Sequence, residues 1–267
     1  MTFWQNLLRF LDTSMETPTL FGWFHILWLA ITVVGTILLC RYYRGSVSRM
    51  ILTVTLVVIA LEIYKQINYS FSYDGGIRFY YQWYAFPFQF CSTPMYVGLL
   101  AGLTKKGKLH ESACAYLASY AIFAGLCVMI YPGDVFIRTI GINIQTMICH
   151  GSMITIGVYL LYTGYVKVEH KSILKAIPVF VVCFLIATAM NILAKTTGLL
   201  EEHTFNMFYM SPSLPCTLPV VSVIQPLVGY PVSLVLYLVV FTFAAYLMLL
   251  IAIGCKNLAK KRQKAAV

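Results

Sequence analysis

Charge is scarce in this 267-residue sequence: Asp, Glu, Lys and Arg together make up 10% of it, against 60% hydrophobic residues and a mean hydropathy of +0.80. Soluble domains carry about 25% charged residues, so the composition excludes one and leaves a chain of membrane-spanning helices. Acidic residues are scarcer still, nine against 19 basic, giving a net charge of +10. The basic residues are dispersed among short loops rather than gathered in one patch, and no nucleic-acid partner is expected. The eight cysteines form no Cys-x-x-Cys pair and show no zinc-type spacing, which argues against a metal site or a disulfide scaffold. A nucleotide-binding glycine loop and a haem motif are also missing, so neither a cofactor nor a metal is expected. The N-terminus lacks the basic region, apolar core and small-residue cleavage site of a signal peptide, so the first hydrophobic segment is expected to stay in the protein. There is no internal repeat and no low-complexity tract.

What the sequence does contain is seven apolar stretches, at about 21–40, 51–68, 84–103, 114–131, 143–162, 173–194 and 231–255. Each is close to the ~20 residues that a bilayer core demands. The expected fold is therefore all-α, a polytopic bundle of seven transmembrane helices forming a single integral membrane domain over 1–267. Residues 1–12 place Phe3, Trp4, Leu7, Leu8 and Leu11 at helical spacing, as in an amphipathic helix lying in the interface or packing as a lid. Fourteen of the 19 basic residues fall in the 1–2, 3–4 and 5–6 loops and the C-terminal tail, among them Arg41, Arg44, Lys105, Lys106, Lys167 and Lys171. Positive loops stay cytoplasmic, which predicts an N-terminus outside and a C-terminus inside a cell membrane. Two connections on the opposite side are long. Residues 69–83 carry an Asp74-Gly75-Gly76 turn amid tyrosines that suit the headgroup layer, and 195–230 contains four prolines, a length that usually marks function or a lid.

Ionisable side chains inside spans are costly, and they point to function. His25, Glu62, Cys91 and His150 all fall in the outer halves of their predicted spans, with Cys91 and His150 each about seven residues, or ~10 Å, from the outer end. Pro87 reads as the first turn of the third helix. That leaves Cys91 near the positive end of the helix dipole, where anions are stabilised. Asn143, Thr146 and His150 form one stripe, Glu62, Lys65, Gln66 and Tyr69 a second, and Thr188, Asn191 and Lys195 a third. All rise toward the same surface and suit one cavity there. Interhelical hydrogen bonding and plain packing are the alternative uses of such residues. His110, His170 and His203 fall in loops or at helix ends and are expected to be solvated. A cysteine–histidine pair suits covalent acyl transfer: the imidazole takes the thiol proton and the thiolate attacks an ester carbonyl. Gln89, Asn191 or backbone N–H groups at the helix start are candidates to stabilise the oxyanion.

The order of motifs resembles the YwaF family of bacterial integral membrane proteins, whose eukaryotic relatives include the transmembrane-protein-164 phospholipid acyltransferases acting on ether lipids. A more distant similarity is to the androgen-induced-gene hydrolases of fatty-acid esters of hydroxy fatty acids. Phe86-Pro87-Phe88-Gln89-Phe90-Cys91 is similar to the family's apolar-Pro-apolar-(His/Gln)-apolar-Cys motif. His150-Gly151 matches its His-Gly pair, and Phe21-Gly22-Trp23-Phe24-His25 its early Phe-Gly-x-x-His. Asn191 with Asn206-Met207-Phe208-Tyr209 resembles its span-six asparagine and following aromatic stretch. Gln89 stands where many relatives carry histidine, and Ser92-Thr93 where polar or acidic residues often follow the cysteine.

The resemblance implies seven spans, a catalytic Cys91 and a partner at His150. His25, Glu62, Gln89, Asn191, Asn206 and Tyr209 are expected in supporting or substrate-binding roles, with a membrane phospholipid or other lipid acyl group as substrate. The rival readings are a small-molecule binding or transport protein without catalysis, and a structural role in which Cys91 pairs with Cys216.

Overall fold

The computed structural model describes residues 2–133, 135–198, 200, 201 and 203–265. The chain is helical: α1 (Phe3–Leu11), α2 (Trp23–Tyr42), α3 (Val47–Ser70), α4 (Thr93–Leu103), α5 (Lys108–Leu117), α6 (Tyr120–Ile130), α7 (Ile140–Tyr162), α8 (Ser172–Thr197), α9 (Val221–Val228) and α10 (Tyr230–Ala265). Among the described residues, six helical units are long and apolar enough to cross a membrane: α2, α3, the α5–α6 pair taken over Lys108–Ile130, α7, α8 and α10. The protein is thus a multi-pass membrane protein. The α5–α6 and α7 units are mostly covered by other helices, whereas α2, α3, α8 and α10 turn most of their apolar surface outward, as helices facing lipid do.

The third apolar stretch departs from expectation. A single-turn 3-10 helix at Trp83–Ala85 is followed by non-helical backbone, and helix resumes only at Phe90, as a 3-10 turn (Phe90–Ser92) leading into α4. Pro87 is not a helix start. It holds Phe86 extended, at φ −51° and ψ 132°, because a residue before proline clashes in the α region. Pro94 occupies the first turn of α4 instead. The apolar helix Phe90–Leu103 spans about 21 Å at 1.5 Å per residue, short of the ~30 Å bilayer core.

The other expected elements appear with shifted ends, except that the span expected over 114–131 is divided into α5 and α6 across Lys108–Ile130. The 69–83 loop folds as a small hairpin in which β1 (Phe71–Ser72) pairs antiparallel with β2 (Arg78–Phe79), and Gly75 and Gly76 take the positive φ values of 70° and 130° that its turn requires. The 195–230 connection contains α9 and a 3-10 turn at Met207–Tyr209. α3 packs on α4 and α7, α6 and α2 pack on α7, and α10 packs on α6, α8 and α9. Glycine permits close approach of α6 to α7: a methyl group built on Gly125 would lie 2.7 Å from the His150 carbonyl oxygen.

Candidate functional site

One cavity of about 260 Å³ lies between α3, α4, α7 and the irregular stretch before α4. From α3 it takes Thr55, Val58, Glu62, Lys65 and Tyr69, which repeat at helical spacing along one face. From α7 it takes Ile142, Gln145, Thr146, Cys149, His150, Met153 and Ile156, again one face. Tyr84, Gln89, Cys91, Ser92 and Tyr209 complete the wall.

Cys91 sits in the 3-10 turn that opens α4. Its neighbour Phe90 fixes that turn by packing edge-on against Phe241 (5.0 Å between centroids), Phe180 (5.8 Å) and Phe208 (5.8 Å). With Phe90 held by that aromatic cluster, the next residue projects to a different side of the turn, and Cys91 reaches the cavity. Ser92 and Thr93 both donate their amides to the Gln89 carbonyl, at 2.8 and 3.2 Å. The Phe90 and Cys91 amides enter no backbone hydrogen bond among the described residues. Cys91 and Cys216 are both free thiols, as are the other six cysteines, so the pairing of Cys91 with Cys216 does not form.

His150 is fixed from one side. Its Nδ1 lies 2.7 Å from the Thr146 carbonyl, which only accepts, so Nδ1 carries the proton. The lone pair is then on Nε2, which is buried and has no hydrogen-bond partner among the described residues. A buried nitrogen without a partner is unusual in a folded protein. Neither ring nitrogen is bonded to Cys91, so the two groups share a cavity without closing on each other.

Around them runs a polar network. The Glu62 carboxylate accepts from Gln66 Nε2 at 2.7 Å and Gln145 Nε2 at 3.3 Å, and pairs with Lys65 Nζ at 2.8 Å. Gln145 Nε2 also reaches Cys149 Sγ at 3.4 Å. Lys65 lines the same cavity as Cys91 and His150.

The remaining predicted site residues have other duties. The Gln89 amide accepts from the Phe208 amide and donates to the Asn206 carbonyl, both at 2.9 Å. Asn191, fully buried, grips Met207 in the same two-handed way, at 2.8 Å each. Asn206 Oδ1 accepts from Ser211 N at 2.8 Å. Together these clamps hold Phe208 and Tyr209 at φ 58° and 56°, the left-handed region that non-glycine residues avoid, and so place Tyr209 at the cavity. Each side-chain nitrogen has one N–H engaged in a clamp; Gln89 keeps a second N–H at the cavity wall, whereas Asn191 lies away from the cavity, which corrects the oxyanion expectation for Asn191. Asn191 and Thr188 do not line the cavity, and Asn143 is spent on Ile137, so the three polar stripes do not converge there.

His25 lies outside the cavity as well. It accepts from Phe21 N at 3.0 Å and donates to the Met129 carbonyl at 2.8 Å, a tie between α6 and the start of α2. His110, expected to be solvated, is buried against Thr104, Cys114 and Tyr165, and His170 bonds Tyr246. The sequence reading did not single out Gln145, Cys149, Ser92 or Tyr84 as cavity residues. For Gln145 the signal was available: a polar side chain five residues before His150 in an apolar span.

Fold and cavity thus define a multi-pass membrane protein with a free thiol and an unengaged imidazole nitrogen in one intramembrane pocket. The chain belongs to the TMEM164 family, whose model matches residues 20–249. No curated protein and no solved structure matches it.

Proposed function

We propose that this protein is a membrane-embedded lipid acyl-transfer enzyme, an acyltransferase or lipid-ester hydrolase, with Cys91 as nucleophile and His150 as base. The observation that carries the reading is the unpartnered Nε2 of His150 in the cavity that also takes the free Cys91 thiol. With a lipid ester between them, Nε2 takes the thiol proton and the sulfur adds to the carbonyl carbon. The tetrahedral intermediate then breaks its C–O bond, and the departing alkoxide takes the proton back from the imidazolium. This leaves an acyl thioester on Cys91 and a lipid alcohol. In the second half His150 deprotonates a lipid hydroxyl or water, which adds to the thioester and expels the Cys91 thiolate. The imidazolium returns its proton to sulfur. The oxyanion at each addition is met by the Cys91 amide, which has no backbone hydrogen-bond partner among the described residues. The gap between Cys91 and His150 suits this order of events, since catalytic contacts often close only around substrate.

In this reading the irregular Trp83–Gln89 segment and α4 together make a seventh crossing. The N-terminus then lies outside and the basic C-terminal helix inside, with the cavity in the outer leaflet of a bacterial cell membrane. The motifs shared with the YwaF family support that assignment.

The test is intact-mass analysis of the purified protein in detergent after exposure to an alkyne-tagged acyl thioester. Wild type should gain one acyl group. Cys91→Ala should gain none, and His150→Gln should acylate about 10²- to 10⁴-fold more slowly, the usual worth of a positioned base. A wild type that takes no adduct, or an adduct that persists in Cys91→Ala, removes the enzymatic reading and favours small-molecule binding or transport.

A further inference from the structure

Basic residues that the sequence disperses are gathered by the fold at one end of the bundle. Three connections meet there, over 41–49, 103–111 and 163–175, and each carries three lysines or arginines, all exposed. A chain of polar contacts draws them together. Ser48 Oγ, at the start of α3, donates to the Thr104 carbonyl at the end of α4, at 3.4 Å. The Thr104 hydroxyl donates to the Leu100 carbonyl at 2.6 Å, so it accepts from His110 Nδ1, at 3.3 Å. Nε2 of His110 then carries the lone pair and accepts from the Tyr165 hydroxyl of the third connection, at 2.6 Å. Ser48 and His110 are both buried. His170 bonds the Tyr246 hydroxyl at 2.6 Å, which ties α10 to the same end. Beyond Tyr246 that helix runs on to Ala265, about 28 Å at 1.5 Å per residue, and adds the basic residues of 256–264.

Electrostatics opposes this arrangement. The three connections hold nine basic residues against two acidic ones, Glu111 and Glu169. Among the described residues only Lys175 of the nine pairs with a carboxylate, that of Glu111 at 2.6 Å. The other like charges share one end of the bundle without a counter-charge from the chain, and an anionic partner would offset their repulsion. Large apolar and aromatic side chains interleave with them: Leu103, Leu109 and Leu174 are 65%, 55% and 64% exposed, and Tyr42 and Tyr162 as much. These positions are at helix ends, where a bilayer places its headgroups and where tyrosine is favoured. A soluble polyanion would meet the cations and leave the leucines in water. A membrane surface satisfies both.

We infer that this end of the bundle binds anionic phospholipid headgroups of the leaflet it faces, with lysine and arginine on the phosphates and leucine in the acyl region beneath. Nothing in this inference depends on the acyl-transfer reading.

The experiment equilibrates full-length protein in detergent with an equimolar mixture of phosphatidylglycerol and phosphatidylcholine, and native mass spectrometry counts the lipids retained. Wild type should prefer the anionic lipid about fivefold, the worth of one cation near a membrane surface, and added salt should erode the preference. Lys105→Gln with Lys106→Gln should bring the ratio near one, whereas the two arginine replacements at these positions should preserve it. Arg78→Gln with Arg138→Gln removes the same charge from exposed positions at the opposite ends of α3 and α7, and should leave the ratio unchanged. Equal retention of the two lipids by wild type, or an equal fall in both glutamine variants, overturns the assignment. So does a thermal midpoint raised as much by soluble polyphosphate as by phosphatidylglycerol, which would make the partner a soluble polyanion.

Discussion

The clamp on the Asn206–Ser211 segment makes the sharpest structural prediction. Asn191 is fully buried, and its amide both accepts from the Met207 amide and donates to the Met207 carbonyl, each at 2.8 Å. Met207 is itself fully buried, so water cannot replace the lost partner in Asn191→Ala. Leaving one buried backbone group unpaired costs about 1–3 kcal/mol, and here two are affected, for a total of about 4 kcal/mol. The next two residues, Phe208 and Tyr209, are held at left-handed φ, a strain of order 1 kcal/mol or more apiece that favours release once the clamp is gone. The segment should therefore let go before the bundle does. In detergent, the thermal midpoint of Asn191→Ala should fall by about 10 °C. Hydrogen exchange at 206–211 should accelerate while α7 stays protected. Withdrawal of Tyr209 from the cavity should speed alkylation of Cys91 by a maleimide, read by peptide mapping. A midpoint within about 2 °C of wild type, together with unchanged exchange at 206–211, would refute the reasoning.

Three further outcomes are expected. His25→Ala should lower stability by about 2 kcal/mol, since it leaves the buried Met129 carbonyl unpaired, yet leave Cys91 acylation within about twofold of wild type; a catalytic loss comparable to that of His150→Gln would show that His25 belongs to the site. Removing one member of the Glu62–Lys65 pair, by Glu62→Gln or Lys65→Met, should cost about 3 kcal/mol or more, while the double variant recovers part of that loss, because a lone buried charge costs more than a missing pair; additive losses in chemical denaturation would contradict this. The Tyr80 hydroxyl donates to the Glu201 carboxylate, and that bond and charge raise the Tyr80 pKa above its ordinary value. The contribution of this contact is fully present below pH ~10 and is lost as pH rises through the raised value, so proteolysis of the 71–82 hairpin should speed up only at the alkaline end, and Tyr80→Phe should remove the pH dependence.

Most of the helical layout was legible because apolar length is a direct physical demand of the bilayer. Composition places α2, α3, α7, α8 and α10 to within a few residues at most ends. The third span failed for a local reason: hydropathy registers Phe86, Phe88 and Phe90 as lipid-suited but is blind to the extended backbone that Pro87 forces on Phe86. The cavity was half legible. Helical periodicity correctly places Glu62 with Lys65, and Thr146 with His150, on faces that meet. It could not tell a polar residue facing a cavity from one clamping a loop, since Asn143, Asn191 and Gln89 present the same side-chain chemistry in either use. That distinction depends on where Ile137, Met207 and Phe208 come to lie, and all three stand outside the long helices, where there is no periodic signal to read.

Four polar side chains explain how a cysteine comes to stand at a helix start beside the cavity. Inside a membrane, backbone outside regular helix is tolerated only where protein satisfies its polar groups or where it borders a cavity. The 83–92 stretch meets both conditions. Gln66 donates to the Ala85 carbonyl, Tyr96 to the Pro87 carbonyl at 2.9 Å, and Thr93 Oγ1 to the Phe90 carbonyl at 2.8 Å, while Gln89 binds the returning 206–208 segment. Broken helices of this kind turn amide ends toward a site that an unbroken helix would keep satisfied internally. An intact helix through 84–103 would have bonded the Cys91 amide to the carbonyl four residues earlier and left only side chains to meet an anion. On the acyl-transfer reading, the break at Pro87 therefore carries a functional consequence. Replacing Pro87 with Ala should let helix propagate upstream, reduce acylation at Cys91 and leave the fold intact; a Pro87→Ala protein that acylates as fast as wild type would show that the irregular stretch serves packing alone.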